Sequence, residues 1–284
     1  MHAPCTTGDR LDAGRGTPGN PRRTPFSVRS SLLRLLQIPY GVYALLAFVI
    51  MGLSAFVLVL LPLGMRARRR IAHAVARTYF HVAGMPLALL DAHHLPEGPC
   101  VVVANHASYL DGIVLKAALP ARFSFVIKKE FSRVPFAGML LRRIGSEFVD
   151  RFNRHAGAMD ARRLMKAADG GQALAFFPEG TFLREPGVGK FHSGAFVIAA
   201  RTQLPVVPVA IRGTRHILPS DRILPRPGRI EVQVLTAIAA PDTSDQAVSV
   251  PEARERARTR ILAAVGEPDL AQKDGLATLA ARRR

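Results

Sequence analysis

Val101-Val102-Val103-Ala104-Asn105-His106-Ala107-Ser108-Tyr109-Leu110-Asp111 decides how this chain is read. Four apolar residues without polar alternation describe a strand buried on both faces, the kind found in parallel sheets covered by helices. The run stops at Asn105-His106, and a helical stretch begins near Gly112. Reactive groups in α/β sheets gather beyond the carboxyl ends of strands, where His106 falls. A neutral imidazole there accepts a proton from a hydroxyl at pH 7. A carboxylate on its other nitrogen fixes the tautomer and stabilises the imidazolium. Asp111 is the candidate carboxylate. Five residues of regular helix are a rotation of about 140°, so the pair meets only if His106 lies in the loop and Asp111 in the first helical turn. Ser108 and Asp111 also have the spacing of a capping box, a purely structural account of Asp111.

Spacing alone does not single out this pair. Nine histidines and twelve aspartates give three His-x4-Asp matches: His106–Asp111, His155–Asp160 and His216–Asp221. The second lies in an arginine-rich helical stretch, where the rotation separates the side chains. The third has Pro219 between its members and no apolar strand directly before it. Only the first has strand, Asn-His and helix cap in order.

Outward from this stretch, short apolar runs alternate with helical ones. Strands are expected at Cys100–Ala104, Phe123–Ile127, Glu147–Val149, Ala173–Phe177, Val206–Ile211 and Arg229–Leu235. Helices are expected near Gly112–Ala118, Phe136–Arg143, His155–Ala168 and Ala195–Arg201. The pattern predicts an α/β layered domain over residues 66–250, with a mostly buried sheet flanked by helices. Residues 251–284 read as a surface helix over Glu252–Val265 and a frayed tail.

Upstream, residues 1–34 form a basic arm whose first 30 positions are rich in Gly, Pro, Thr and Arg and read as disordered. Leu35 to Met65 contains no charged residue, which exceeds the roughly 20 positions needed to cross a bilayer. Pro39, Gly41, Gly52 and Pro62 interrupt it, so two readings follow: one helix from about Tyr40 to Leu61, or a hairpin dipping into one leaflet. Arg66, Arg68, Arg69 and Arg70 put the portion that follows in the cytoplasm. The basic arm on the other flank favours the hairpin.

The net charge of +18 calls for an anionic partner: nucleic acid, an anionic membrane face or a phosphorylated substrate. Zinc-finger spacing, RNP-like aromatic runs and basic heptads are all missing from the sequence, so no nucleic-acid partner is expected. Two cysteines, Cys5 and Cys100, make neither a disulfide framework nor a metal site, and fit a reducing, cytoplasmic setting. The histidines lack ligand spacing, so no metal and no cofactor are expected.

A second apolar run ends in Phe176-Phe177-Pro178-Glu179-Gly180-Thr181. Gly180 permits close backbone approach, and N–H groups around it can cradle an anion. Glu179 cannot bind a phosphate, so it orients the turn or a neighbouring basic group. A plain strand-ending turn is the structural alternative.

Together these stretches resemble the glycerolipid acyltransferase family, which includes bacterial 1-acylglycerol-3-phosphate acyltransferases. One block is Asn105-His106 through Asp111. The next is Lys128-Lys129-Glu130 with Pro135, Gly138, Gly145 and Val149-Asp150-Arg151. Phe177-Pro178-Glu179-Gly180-Thr181 and Leu204-Pro205-Val206-Val207-Pro208 complete the series. Four blocks in order over residues 85–235 carry the resemblance. It implies that His106 is the base, Asp111 its partner, and that the third block belongs to an acceptor-phosphate site. Asn105, Ser108, Lys128, Arg151, Glu179, Gly180, Thr181 and Arg184 are the candidate substrate-binding residues.

The family usually has arginine directly after Glu-Gly-Thr, and this chain has Phe182. Arg184, Arg151 and Lys128 are the cations that could replace it; solvated surface charge is the alternative for each. The implied reaction is transfer of a fatty acyl group from acyl-CoA or acyl carrier protein to lysophosphatidic acid, giving phosphatidic acid. Another lyso-lipid, such as lyso-ornithine lipid, is the alternative acceptor, and a non-catalytic basic membrane- or nucleic-acid-binding protein is the distant one. The implied location is a membrane, the bacterial inner membrane, with the catalytic domain cytoplasmic.

Overall fold

The computed structural model of the chain describes residues 28–150, 154–181, 184–241 and 248–271. Seven strands form one mixed sheet in the order β1-β7-β6-β2-β5-β3-β4. In chain order these are β1 (Leu87–Leu90), β2 (Val101–Ala104), β3 (Ser124–Lys128), β4 (Glu147–Val149), β5 (Leu174–Phe176), β6 (Val206–Arg212) and β7 (Ile230–Val234). All neighbours are parallel except β6 and β7. The expected α/β layered architecture is what the chain forms, and each expected strand is present to within two residues at either end. β1, a four-residue edge strand, was not anticipated.

β2 sits near the centre, paired to β6 on one side and β5 on the other. Its four residues are fully buried. Alternation splits them between layers. Val102 and Ala104 join the core that contains Phe80, Leu115 and Ile217, while Val101 and Val103 join Phe191, Phe196 and Ile261. A strand buried on both faces needs an apolar residue at every position, which is why the opening run does not alternate.

Helices cover both faces: α1 (Val28–Leu60), α2 (Met65–Val82), α3 (Asp111–Ala118), α4 (Ala137–Arg143), α5 (Arg154–Asp169), α6 (Gly194–Arg201), α7 (Thr214–Ile217) and α8 (Val250–Val265). α1 is one continuous helix of 33 residues, and Gln37–Leu60 is long and apolar enough to cross a membrane. The hairpin inside residues 35–65 is therefore corrected. Pro39 removes one backbone N–H from the helix without ending it. The reversal comes at Leu61–Gly64, beside Pro62, and the second arm is the arginine-rich α2.

That helix was hidden in the sequence by its charge. On a helical wheel Arg66, Arg70 and Arg77 share one flank, while Ala72, Ala76, Tyr79 and Phe80 are buried on another. The C-terminal segment also differs from expectation. α8 buries Ala253, Ala257, Arg258 and Ile261, and residues 266–271 do not fray. They return across the domain, where Asp269 forms a parallel bridge with Val188.

Candidate active site

The parallel strands β2, β5 and β3 end on one edge of the sheet, so Asn105-His106, Phe177–Thr181 and Lys128 lie along it. Neighbouring strands are about 4.8 Å apart, which puts Lys128 two strand spacings from the histidine.

His106 Nδ1 lies 2.9 Å from Asp111 Oδ2. The same oxygen accepts the N–H groups of Ala107 at 2.6 Å and Ser108 at 2.8 Å. Asp111 is fully buried and His106 partly exposed, with 19% of its side chain reaching solvent. The loop-plus-first-turn placement inferred from the 140° argument is the observed one. The capping box forms only by half. Asp111 accepts from Ser108 N, but Ser108 Oγ donates to Leu218 O at 2.7 Å and accepts from Leu110 N instead. The hydroxyl thus ties the loop to the segment after α7.

Phe177 stacks on the imidazole at 4.4 Å between ring centroids and 22° between planes. Glu179 holds the backbone beneath it. One carboxylate oxygen accepts His106 N–H at 2.7 Å, and the other accepts Gly189 N–H at 2.8 Å. Burial pushes the Glu179 carboxyl above its ordinary value; the two backbone N–H groups and His106 oppose that rise. Asn105 is buried and makes a paired bond to Ile211, donating to its carbonyl at 3.0 Å and accepting its N–H at 2.8 Å. In this structure it binds the end of β2 to β6.

The N–H groups of His106, Ala107 and Ser108 are all engaged by carboxylates. None of these three donors is free for a developing anion. Cys100, at the foot of β2, is fully buried and its thiol is pushed up to about 11, chiefly by burial. It is no nucleophile.

Of the remaining candidates, Gly180 is half-buried with φ +80°, closing a turn through its N–H to Phe177 O. That left-handed conformation is why glycine stands there. Thr181 and Arg184 are exposed and Lys128 is half-buried. Arg151 and Phe182 lie outside the described residues. Of the rival pairs, Asp160 accepts Asp150 N–H and pairs with Arg163, the side chain of His155 lies outside the described residues, and His216 and Asp221 are both exposed. Gly189, Ile211 and Leu218 act through backbone atoms, and backbone partners leave no residue-type signal in a sequence.

The family described as Acyltransferase matches residues 88–212. A chloroplastic 1-acyl-sn-glycerol-3-phosphate acyltransferase of Brassica napus is 32% identical over 60% of this chain and 53% of its own. The human 1-acyl-sn-glycerol-3-phosphate acyltransferase beta is 30% identical over 62% and 63%. The family match takes in less than half of this chain, and the chain spans about half the length of the first of these relatives. The crystal structure of the 1-acyl-sn-glycerophosphate acyltransferase PlsC from Thermotoga maritima shares the fold, with a TM-score of 0.64 and 22% identity over 82% of this chain and 94% of that one. The match to the acyltransferase family covers the His106 loop, the Lys128 strand end and the Glu179 turn, and it stops at the end of β6.

Proposed function

We propose that this chain is a membrane-bound O-acyltransferase that moves a fatty acyl group from a thioester to the free hydroxyl of 1-acylglycerol-3-phosphate, giving phosphatidic acid. The observation that carries this reading is the His106–Asp111 pair at the open edge of the sheet. With Nδ1–H donated to Asp111, the imidazole's lone pair is on Nε2. His106 takes the hydroxyl proton as the oxygen attacks the thioester carbonyl. The C–O bond forms, the C–S bond breaks, and the proton passes from the imidazolium to the departing thiolate. Asp111 stabilises the transient imidazolium. Acyl-CoA and acyl carrier protein both supply such a thioester. No cofactor or metal enters the sequence of steps.

Arg184, Lys128 and Arg151 are the cations offered to the acceptor phosphate. Phe182, standing where the family carries arginine, favours a second acceptor, a lyso-lipid without a terminal phosphate such as lyso-ornithine lipid. The chain works at a membrane, the inner membrane of a bacterium, with its catalytic face on the cytoplasmic side. Its exposed apolar side chains along α1, including Val42, Leu46, Val49, Leu53 and Val57, bring the cleft to where lipid substrates reside.

His106→Ala, assayed in membranes with a labelled acyl thioester and a panel of lyso-lipids, tests the proposal. Transfer to lysophosphatidate by the parent chain and none by the variant, with the fold intact, is the expected result. Retained transfer by the variant removes His106 from the chemistry, and transfer to lyso-ornithine lipid alone changes the acceptor.

A further inference from the structure

Arg258 lies on α8, outside the residues that match the family. It is a guanidinium only 6% exposed, far from the His106 loop in sequence. Its Nε donates to Gly189 O at 3.0 Å, Nη2 donates to Val188 O at 3.4 Å and pairs with Asp269, and Nη1 reaches Glu255 at 3.4 Å. A buried guanidinium stripped of its partners is strongly destabilising, so the fold depends on these contacts.

Those partners converge on three residues, 187–189. Gly187 N–H donates to Glu267 at 2.7 Å, and its carbonyl accepts from Arg215 at 3.3 Å. Val188 N–H donates to Pro268 O, and its carbonyl accepts from Leu270 N–H and Arg258. Gly189 O accepts from Arg258, and Gly189 N–H donates to Glu179. Every backbone polar group of the segment is therefore engaged, although it lies in no regular sheet. Five of the six are held by the C-terminal strap 266–270, α8 or Arg215. The sixth, Gly189 N–H, points to the carboxylate whose other oxygen holds His106 N–H. A side chain at 189 would bring Cβ to 3.1 Å from Glu179 Oε2, so glycine leaves room for that approach.

We infer that Arg258 and the strap it anchors are positioning elements for His106, acting through Gly189 and the bridging carboxylate of Glu179. This rests on His106 being the base. Arg258 touches no substrate; it fixes where Glu179 can sit, and Glu179 fixes the backbone from which the imidazole projects. A displacement of about 1 Å at a catalytic group costs up to a hundredfold in rate.

The test is a double-mutant cycle on the full chain in detergent, combining Arg258→Met with Glu179→Gln. Each single variant is expected to lower kcat by roughly tenfold to a hundredfold with KM values for thioester and acceptor changed less than about twofold. The double variant should be no slower than the slower single one, because both cut one path. Losses that multiply overturn the inference. Amide hydrogen exchange over residues 104–111 is read in parallel, without reference to activity. Faster exchange in Arg258→Met, with no further gain in the double variant, is expected; unchanged exchange overturns the inference. Should Arg258→Met fail to fold, Leu270→Ala loosens the strap while keeping the guanidinium, and the same two readouts apply to it. His106→Ala separates the two levels. If it stays active the base assignment falls, and the exchange measurement still judges the relay by itself.

Discussion

Asp111 Oδ2 serves His106 and two backbone N–H groups at once, while its Oδ1 is buried without a hydrogen-bond partner among the described residues. Asp111→Asn can keep the two backbone bonds, but it offers the imidazole no charge and buries an amide where Oδ1 stood. The rate is expected to fall by about 10³–10⁴, with about 1–3 kcal/mol of stability lost; steady-state kinetics and thermal unfolding of the same sample check both. Lys116, in the last turn of α3, presents the opposite case, a buried cation without a carboxylate partner among the described residues. Its ammonium lies 5.4 Å from the centre of the Phe125 ring, and its pKa is lowered to about 8 by burial first and Arg69 second. The folded state gives up this proton near pH 8 and the unfolded chain near 10.5, so stability should rise across that window and show the full penalty below it. Lys116→Met should abolish that rise. At pH 7 it should stabilise the fold by about 1–3 kcal/mol, the desolvation gain offset in part by the lost ring contact. Unfolding midpoints from pH 7 to 10.5 decide the point. The histidine and its carboxylate were legible in the sequence because strand, loop and cap occurred in order. Glu179 was legible as an orienting group, but its partners were not: Gly189 and His106 contribute only N–H groups, which every non-proline residue has.

Among the elements, α1 is fastened to the domain at Tyr40 and Tyr43 and again near its C-terminal end. Tyr40 Oη donates to Ala83 O at 2.9 Å and Tyr43 Oη to Val82 O at 3.0 Å. At the other end Val59 packs with Ala72 and Ile144, and Phe56 meets Phe136 edge-on at 5.5 Å. Gly41 is the closest approach. A Cβ there would stand 2.8 Å from Leu224 Cβ and 3.0 Å from Pro225 O. The segment it presses on begins at Leu218, whose carbonyl holds Ser108. Gly41→Val should cost about 1–3 kcal/mol through overpacking and lower the transfer rate as well, and Leu224→Gly in the same chain should recover part of both. A parent-like rate in Gly41→Val would show that this contact does not reach the His106 loop. The strands were readable because apolar runs and their length report burial directly. α2 was not, since its arginines mask a helical apolar stripe. The strap was not either, since Glu267, Asp269 and the arginines they meet look like ordinary surface charge until the chain brings them together.

On the scale of the whole molecule, charge and apolar surface have to be satisfied by one seating. α1 from Tyr40 to Val59 runs along the domain for about 30 Å, at 1.5 Å per residue, and is tied down at both ends. Two seatings in a membrane are open to such a helix, a span and a place in the plane of one leaflet. In the plane, its outward row of Val42, Leu46, Val49, Leu53 and Val57 would enter the lipid, joined by the exposed Phe131, Val134, Phe136 and Met139, and Arg66, Arg70 and Arg77 of α2 would lie near anionic head groups. The two seatings differ in where they leave the N-terminus. In the plane, the N-terminal arm and the catalytic domain share one side; with a span they lie on opposite sides. The chain carries its own probe, because Cys5 is in the arm and Cys100, its other cysteine, is fully buried. In sealed vesicles with the catalytic face outward, a membrane-impermeant maleimide should label Cys5 without detergent, and labelling that appears only after detergent would establish a span. Leu53→Asp with Val57→Asp should weaken vesicle binding by a hundredfold or more, at about 2.5–3.5 kcal/mol per aspartate in hydrocarbon, whatever the salt. Replacing Arg66, Arg70 and Arg77 with Gln should weaken binding only to anionic vesicles, by about 1 kcal/mol per charge, and added salt should mimic that loss.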